Sequence, residues 1–162
     1  MEAEPIDGNH IECEPPDLPD TYIVHSHGET ETIAAGARLG GNLRGRCVIA
    51  LYGGLGMGKT AFVRGLSQGL GFTGEVSSPT FAIVHEYLGG RLPLYHFDMY
   101  RIAGWDDLYT TGWFEALDKE AVVAAEWSEQ IEAALPEDVI RVSLQPGNTP
   151  DERTIKIIGP IS

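Results

Sequence analysis

The sequence predicts an α/β fold in which helices flank a mixed β-sheet within a single domain. A short apolar run over residues 47–52 contains β-branched side chains, as expected for a strand buried on both faces. A glycine cluster follows this run, and apolar residues then recur at helical spacing over residues 59–70. With 162 residues, the chain is long enough for one domain with a core and too short for two of ordinary size.

Three elements are predicted before the glycine cluster. Residues 21–24 form a short strand-like run. Residues 29–42 show helical spacing of apolar side chains and end in Gly40-Gly41, which provides a C-terminal stop. The buried strand at residues 47–52 then leads into the cluster.

A longer series of elements is predicted after the cluster. Gly71 caps the helix over residues 59–70. Gly89-Gly90 connects two strand-like runs as a hairpin would, and Pro136 ends the last helix. The remaining predicted elements are strands at 81–87, 92–97, 121–125, 139–144 and 154–158, and helices at 106–117 and 128–135.

Composition and charge restrict the class of protein. Asp and Glu number 24 against 11 Lys and Arg, which gives a net charge of −13 and argues against unaided binding to nucleic acid. No apolar run approaches the ~18–20 residues of a membrane span, and the N-terminus lacks the pattern of a secretory signal. The two cysteines have neither disulfide-framework nor zinc-site spacing. Together these features predict a cytoplasmic protein that does not associate with membranes.

The N-terminal residues 1–20 are predicted to be a disordered acidic tail, and residues 21–162 to be the folded domain. The tail has 7 acidic residues and 4 prolines but no Lys or Arg. Such a segment buries too little apolar surface to offset the entropy lost on ordering. Both a docking tail and a solvated extension fit this composition.

The glycine cluster gives the strongest chemical signal. Residues 53–60 (GGLGMGKT) match the pattern G-x-x-x-x-G-K-[ST] between a predicted strand and a predicted helix. Glycines allow backbone N–H groups to surround phosphate oxygens, and the helix N-terminus adds partial positive charge. Lys59 is expected to reach the β- and γ-phosphates, and Thr60 to ligate Mg²⁺. The sequence therefore predicts a P-loop NTPase-like fold that binds ATP and Mg²⁺ through Gly53, Leu55, Gly56, Met57, Gly58, Lys59 and Thr60.

Two carboxylates follow predicted strands, where ligands of open α/β sheets bind. Asp98 ends the run LYHFD, and Glu126 ends the run AVVAAE. Either residue is suited to hold Mg²⁺ or to orient the attacking water. His96 lies two residues before Asp98 and so on the same face of the strand, where both a catalytic base and a structural hydrogen-bonding histidine are possible.

With these motifs in place, the chain resembles the bacterial TsaE-type ATPases of tRNA threonylcarbamoyladenosine biosynthesis. The resemblance extends over roughly residues 22–158. Its motifs are LGMGKT at 55–60 with Phe62 and Arg64-Gly65, SPTF at 78–81, HFDMYR at 96–101, and Glu126-Trp127.

The resemblance implies a small ATPase that binds Mg-ATP and hydrolyses it slowly alone. Its implied partners are the threonylcarbamoyl-transferase subunit and the companion pseudo-subunit, with tRNA contacted only indirectly. The complex installs a threonylcarbamoyl group on N6 of adenosine 37 in tRNAs that read ANN codons.

Roles for individual residues are also implied by the resemblance. Thr60 and Glu126 match magnesium-binding positions, and Asp98 matches the main hydrolytic aspartate. Thr80, in a switch-like loop, is expected to sense the γ-phosphate. The further residues implied near the nucleotide are Thr32, Trp127 and Arg153.

Two alternative functions remain open at the level of sequence. A small-molecule P-loop kinase has a similar size, but such kinases usually carry an arginine-rich lid, and no such cluster occurs in this sequence. A non-hydrolysing, nucleotide-dependent scaffold is the other alternative.

Overall fold

A mixed sheet of seven strands forms the centre of the structure, a computed structural model that describes residues 18–74 and 83–159. The strand order is β1-β7-β6-β2-β5-β4-β3. The strands are β1 (Thr21–Ser26), β2 (Cys47–Tyr52), β3 (Val84–Tyr87), β4 (Leu94–Asp98), β5 (Val122–Glu126), β6 (Ile140–Pro146) and β7 (Arg153–Ile158).

The middle of the sheet is parallel and its edges are antiparallel. β2 pairs in parallel with β5 and β6, and β4 pairs in parallel with β5. β1 and β7 complete one edge, and β3 completes the other, all in antiparallel pairing. The carboxyl ends of the four parallel strands therefore meet at one edge of the sheet, which is where ligands bind in such folds.

Helices cover both faces of the sheet. α1 (Glu29–Asn42) and α2 (Lys59–Gly69) lie on one face, where Ile49 and Leu51 of β2 pack in one cluster with Phe62. α3 (Trp105–Tyr109), α4 (Trp113–Leu117) and a 3₁₀ segment (Ser128–Ala134) lie on the other face, where Val48 packs in a second cluster with Trp113. The alternation along β2 is that of a strand buried on both sides, which confirms the predicted α/β class.

Two predicted helices differ from the structure. The helix predicted over residues 106–117 is two short helices, because Gly112 has a left-handed φ of 87° that interrupts the helical path. The segment predicted as a helix over 128–135 is 3₁₀ and is kinked at Ile131. Residues 1–17 of the predicted tail, Thr80, and residues 81–82 of a predicted strand lie outside the described residues.

In the part of the chain that the structure describes, no helix has the length and apolar character needed to cross a membrane.

Helices α1 and α2 contact each other backbone to backbone. A Cβ atom built on Gly65 would overlap the carbonyl oxygen of Ile33, and one built on Gly36 would overlap the carbonyl oxygen of Phe62. A Cβ on Gly40 would lie 2.5 Å from the carbonyl oxygen of Leu66. Glycine is therefore required at this crossing for steric reasons, and it fixes α2 tightly against α1.

We expect Gly65→Ala to lower the free energy of unfolding by about 1–3 kcal/mol, because the added methyl group meets backbone that cannot rotate away. Chemical denaturation measures this change. The matched control is Gly41→Ala, whose Cβ would lie an ordinary 3.8 Å from the carbonyl oxygen of Gly69. The control is expected to leave stability unchanged or to raise it by ~0.4–1 kcal/mol. Equal stability of the two variants would contradict the close helix crossing.

Candidate nucleotide-binding site

The glycine loop lies between β2 and α2 at the carboxyl edge of the sheet. Its turns use backbone angles that favour glycine: φ is 77° at Gly56 and 98° at Gly58. Gly58 is the N-cap of α2, and among the described residues no side chain caps this helix. The first helical hydrogen bond runs from the Phe62 amide to the Gly58 carbonyl at 2.9 Å. The amides of residues 59–61 therefore point out of the helix N-terminus and are suited to bind an anion.

Lys59 places its ammonium group inside the loop. Its side chain is 5% exposed, and Nζ donates a hydrogen bond to the Gly53 carbonyl at 2.6 Å. Nζ also lies 3.6 Å from the centre of the Trp127 ring, a cation–π contact. Burial lowers the pKa of Lys59, and nearby acidic groups, Glu126 foremost, oppose that shift. The loop therefore encloses the Lys59 ammonium group, which a bound phosphate group can reach.

Trp127 has an unusual backbone conformation. Within residues 18–74 and 83–159 it is the only non-glycine residue with a positive φ, 58°. This left-handed conformation is uncommon for a bulky residue and is held by the contacts around it. Its ring lies 5.0 Å from that of Tyr100 and packs against the Lys59 ammonium. The chain turn directly after β5 therefore supplies one aromatic wall of the site.

The two predicted carboxylates end neighbouring strands. Asp98 and Glu126 are partners in the register of β4 and β5, so both side chains emerge at the same edge. The Thr60 hydroxyl lies 3.5 Å from both carboxylate oxygens of Glu126. Asp98 is exposed, and its Oδ1 accepts a hydrogen bond from the Tyr100 amide at 3.0 Å. The positions of Asp98 and Glu126 at the ends of predicted strands predict this meeting with the start of α2.

Glu126 has a buried partner, His96. His96 Nε2 lies 2.5 Å from Glu126 Oε2, and the two residues are 5% and 9% exposed. Burial raises the pKa of Glu126, but the His96 hydrogen bond, the Lys59 charge and the Thr60 hydroxyl together outweigh it, so the pKa lies below its usual value. Glu126 is therefore an ionised carboxylate at neutral pH. Strand alternation had placed His96 beside Asp98, but it gave no indication of this partner on the next strand.

These residues surround a cleft of about 580 Å³. The Thr32 and Ser26 hydroxyls hydrogen-bond each other at 2.8 Å on one side of it. Arg153 Nη2 donates to the Gly56 carbonyl at 3.2 Å and so attaches the β7 strand to the loop. The predicted site residues that line the cleft are Thr32, Leu55, Gly56, Met57, Gly58, Lys59, Thr60, Asp98, Glu126, Trp127 and Arg153.

Some predicted residues lie elsewhere, and some lining residues were not predicted. Gly53 is not in the lining, but its carbonyl oxygen holds Lys59. Arg64 does line the cleft, and its Nη1 pairs with Glu29 at 3.3 Å. Arg64 could have been predicted from its position four residues after Thr60, because residues at this spacing lie on the same face of a helix.

The donor set fits a nucleotide with magnesium. Mg²⁺ prefers oxygen ligands and, in nucleotide sites, uses one or two protein ligands together with phosphate oxygens and water. The Thr60 hydroxyl and the ionised Glu126 carboxylate are hard oxygen donors beside the loop that would bind the phosphates. A strand, a glycine loop and a helix N-terminus with a central lysine define a P-loop nucleotide-binding protein.

Comparison with known proteins identifies the family. The family model described as "Threonylcarbamoyl adenosine biosynthesis protein TsaE" matches residues 26–155, and the chain belongs to this family. This match confirms the resemblance to the TsaE family that the sequence motifs indicate.

Individual relatives agree with this assignment. A Treponema pallidum protein named tRNA threonylcarbamoyladenosine biosynthesis protein TsaE is 39% identical over 120 residues, which is 74% of this chain and 88% of that protein. The Streptomyces coelicolor protein of the same name is 40% identical over 129 residues, covering 76% and 87% of the two chains. The crystal structure of Bacillus subtilis YdiB superposes with a TM-score of 0.71 at 31% identity, covering 88% and 87%. The P-loop-like fold is therefore shared along most of the chain.

Proposed function

We propose that this protein binds and hydrolyses Mg-ATP as a subunit of the system that forms the threonylcarbamoyl group on N6 of adenosine 37 in tRNAs reading ANN codons. The observation that carries the proposal is the convergence in one cleft of the glycine loop, Lys59, Thr60 and the strand-end carboxylates Asp98 and Glu126. Membership of the TsaE family supplies the pathway.

Phosphate binding is assigned to the loop and to Lys59. The amides at the start of α2 would donate to phosphate oxygens, and the Lys59 ammonium would exchange its bond to the Gly53 carbonyl for one to a phosphate. Trp127, Thr32 and Arg153 border the same cleft and would contact the rest of the nucleotide.

Thr60 and Glu126 would hold magnesium. When bound, the ion would neutralise negative charge on the phosphates. Asp98 is exposed and lines the cleft, and its carboxylate would orient a water and accept its proton. Thr80, outside the described residues, stays a predicted sensor of the γ-phosphate.

The proposed partners are the threonylcarbamoyl-transferase subunit and its companion pseudo-subunit. A net charge of −13 disfavours direct contact with the tRNA phosphates, so we propose that the partners contact the tRNA. The proposed location of this assembly is the cytoplasm.

The test is a reconstitution with ATP labelled on the γ-phosphate. The protein is combined with both proposed partners, tRNA, threonine, bicarbonate and the enzyme that makes the activated intermediate. We expect slow release of free phosphate by the protein alone, faster release with the partners, and modified tRNA only when the protein is present. Transfer of the label to a small molecule would instead indicate a kinase, and modified tRNA without any phosphate release would indicate a nucleotide-dependent scaffold.

A further inference from the structure

We infer that His96 is a positioning residue that holds the Glu126 carboxylate in the orientation needed to bind magnesium. This inference rests on the proposed function, in which Glu126 is a metal ligand. The hydrogen bond from His96 Nε2 to Glu126 Oε2, at 2.5 Å between two buried side chains, is its starting point.

The sheet register brings the two side chains together. In the parallel pairing of β4 and β5, His96 lies opposite Ala124, and Asp98 lies opposite Glu126. His96 therefore reaches Glu126 as a diagonal neighbour, two residues further along the adjacent strand on the same face. Leu94 lies two residues before His96 and Ala124 two residues before Glu126, so each shares a face of the sheet with that residue. Both pack in the cluster that includes residues of α2, so His96 and Glu126 lie on the face that meets Thr60.

The direction of the hydrogen bond follows from the charge on the carboxylate. A carboxylate that binds magnesium is ionised and only accepts hydrogen bonds, so His96 Nε2 donates to Glu126 Oε2. The last torsion of a glutamate side chain is broad and roughly two-fold, so a carboxylate without a fixed partner samples many orientations. One donor on Oε2 fixes that torsion and holds the carboxylate with both of its oxygens 3.5 Å from the Thr60 hydroxyl.

The other ring nitrogen supports a role beyond packing. His96 Nδ1 is buried and has no hydrogen-bond partner among the described residues. An unpaired buried nitrogen costs stability, and a histidine kept only for structure would be expected to satisfy both nitrogens. The His96 ring therefore holds Glu126 through Nε2 while its unpaired Nδ1 lowers the stability of the fold. Groups that orient a metal ligand in this way typically change metal affinity by about 10–100-fold when they are removed.

The experiment measures metal affinity rather than turnover. Mn²⁺ is titrated into the full chain saturated with ADP, and free Mn²⁺ is followed by electron paramagnetic resonance. ADP affinity is measured separately in EDTA. His96→Phe keeps an aromatic ring but removes the donor, whereas His96→Gln places an amide N–H near the original Nε2. His85→Phe is the matched control, since the His85 ring centre lies 5.8 Å from that of His96, on the neighbouring strand β3.

We expect His96→Phe to weaken Mn²⁺ binding about 10–100-fold while ADP affinity in EDTA is unchanged. His96→Gln should restore most of the Mn²⁺ affinity, and His85→Phe should match the wild-type protein. Wild-type Mn²⁺ affinity in folded His96→Phe would overturn the inference, as would an equal loss in His96→Phe and His96→Gln. If His96→Phe does not fold, His96→Leu replaces it, and failure of both to fold would assign His96 a structural role instead.

Glu126→Gln separates this inference from the proposed function. If Glu126→Gln leaves Mn²⁺ affinity unchanged, the proposed metal site is wrong, and the role of His96 fails with it. If Glu126→Gln weakens Mn²⁺ binding but His96→Phe does not, the metal site stands and only the inference about His96 is refuted.

Discussion

Replacing Lys59 with alanine is expected to abolish ATP hydrolysis and to weaken ATP binding roughly 10–150-fold. This range corresponds to the ~1.5–3 kcal/mol of a hydrogen bond to a charged group. Lys59 is the cation at the centre of the loop, with its Nζ on the Gly53 carbonyl and over the Trp127 ring. Without it, the phosphates lose their charged donor while the loop amides remain.

Isothermal titration with ATP and a phosphate-release assay measure the two effects of Lys59→Ala. Lys119→Ala is the matched control, because Lys119 is an exposed lysine whose ammonium lies 4.9 Å from the Tyr95 ring and outside the cleft. The control should bind and hydrolyse ATP as the wild-type protein does. A folded Lys59→Ala variant with normal ATP affinity and turnover would refute the phosphate-loop assignment.

Asp98→Asn is expected to lower the rate of ATP hydrolysis by about 10²–10⁴-fold while ATP affinity stays close to the wild-type value. Asparagine keeps the shape of the side chain and still accepts the hydrogen bond from the Tyr100 amide, so the turn after β4 is preserved. The substitution removes only the negative charge that would receive a proton from the attacking water.

Asp107→Asn provides the comparison for Asp98→Asn. Asp107 Oδ2 accepts the Ala103 amide at 3.0 Å in a similar local bond, but Asp107 does not line the cleft. Hydrolysis by Asp107→Asn should be normal. Parallel losses of ATP affinity and hydrolysis in Asp98→Asn would show that Asp98 supports the structure rather than the chemistry.

The loop and its surroundings could be predicted from sequence because each feature is local. The apolar run at 47–52, the glycines and the helical spacing after Lys59 are close together in the chain, and their physical roles depend on near neighbours. The meeting of Asp98 with Glu126 was also predictable, because parallel strands end at one edge of the sheet.

Features that depend on register or on one backbone angle were not predictable in the same way. The break at Gly112 required a positive φ that composition alone does not indicate. The bond between His96 and Glu126 depends on how β4 and β5 are aligned, and a shift by one residue would turn His96 to the other face. Sequence patterns identify which strands exist more readily than their exact alignment.

The glycine crossing of α1 and α2 predicts which side of the cleft moves when the nucleotide changes. Thr32 on α1 and Thr60 on α2 border the same cleft from helices whose backbones touch, so we expect these helices to move as one body. The opposite side consists of the ends of β4 and β5. A turn follows β4, and the 3₁₀ segment Ser128–Ala134 follows β5. We therefore expect that replacing ATP by ADP displaces the turn after Asp98 while the helical side stays fixed, which crystal structures of the two complexes would measure.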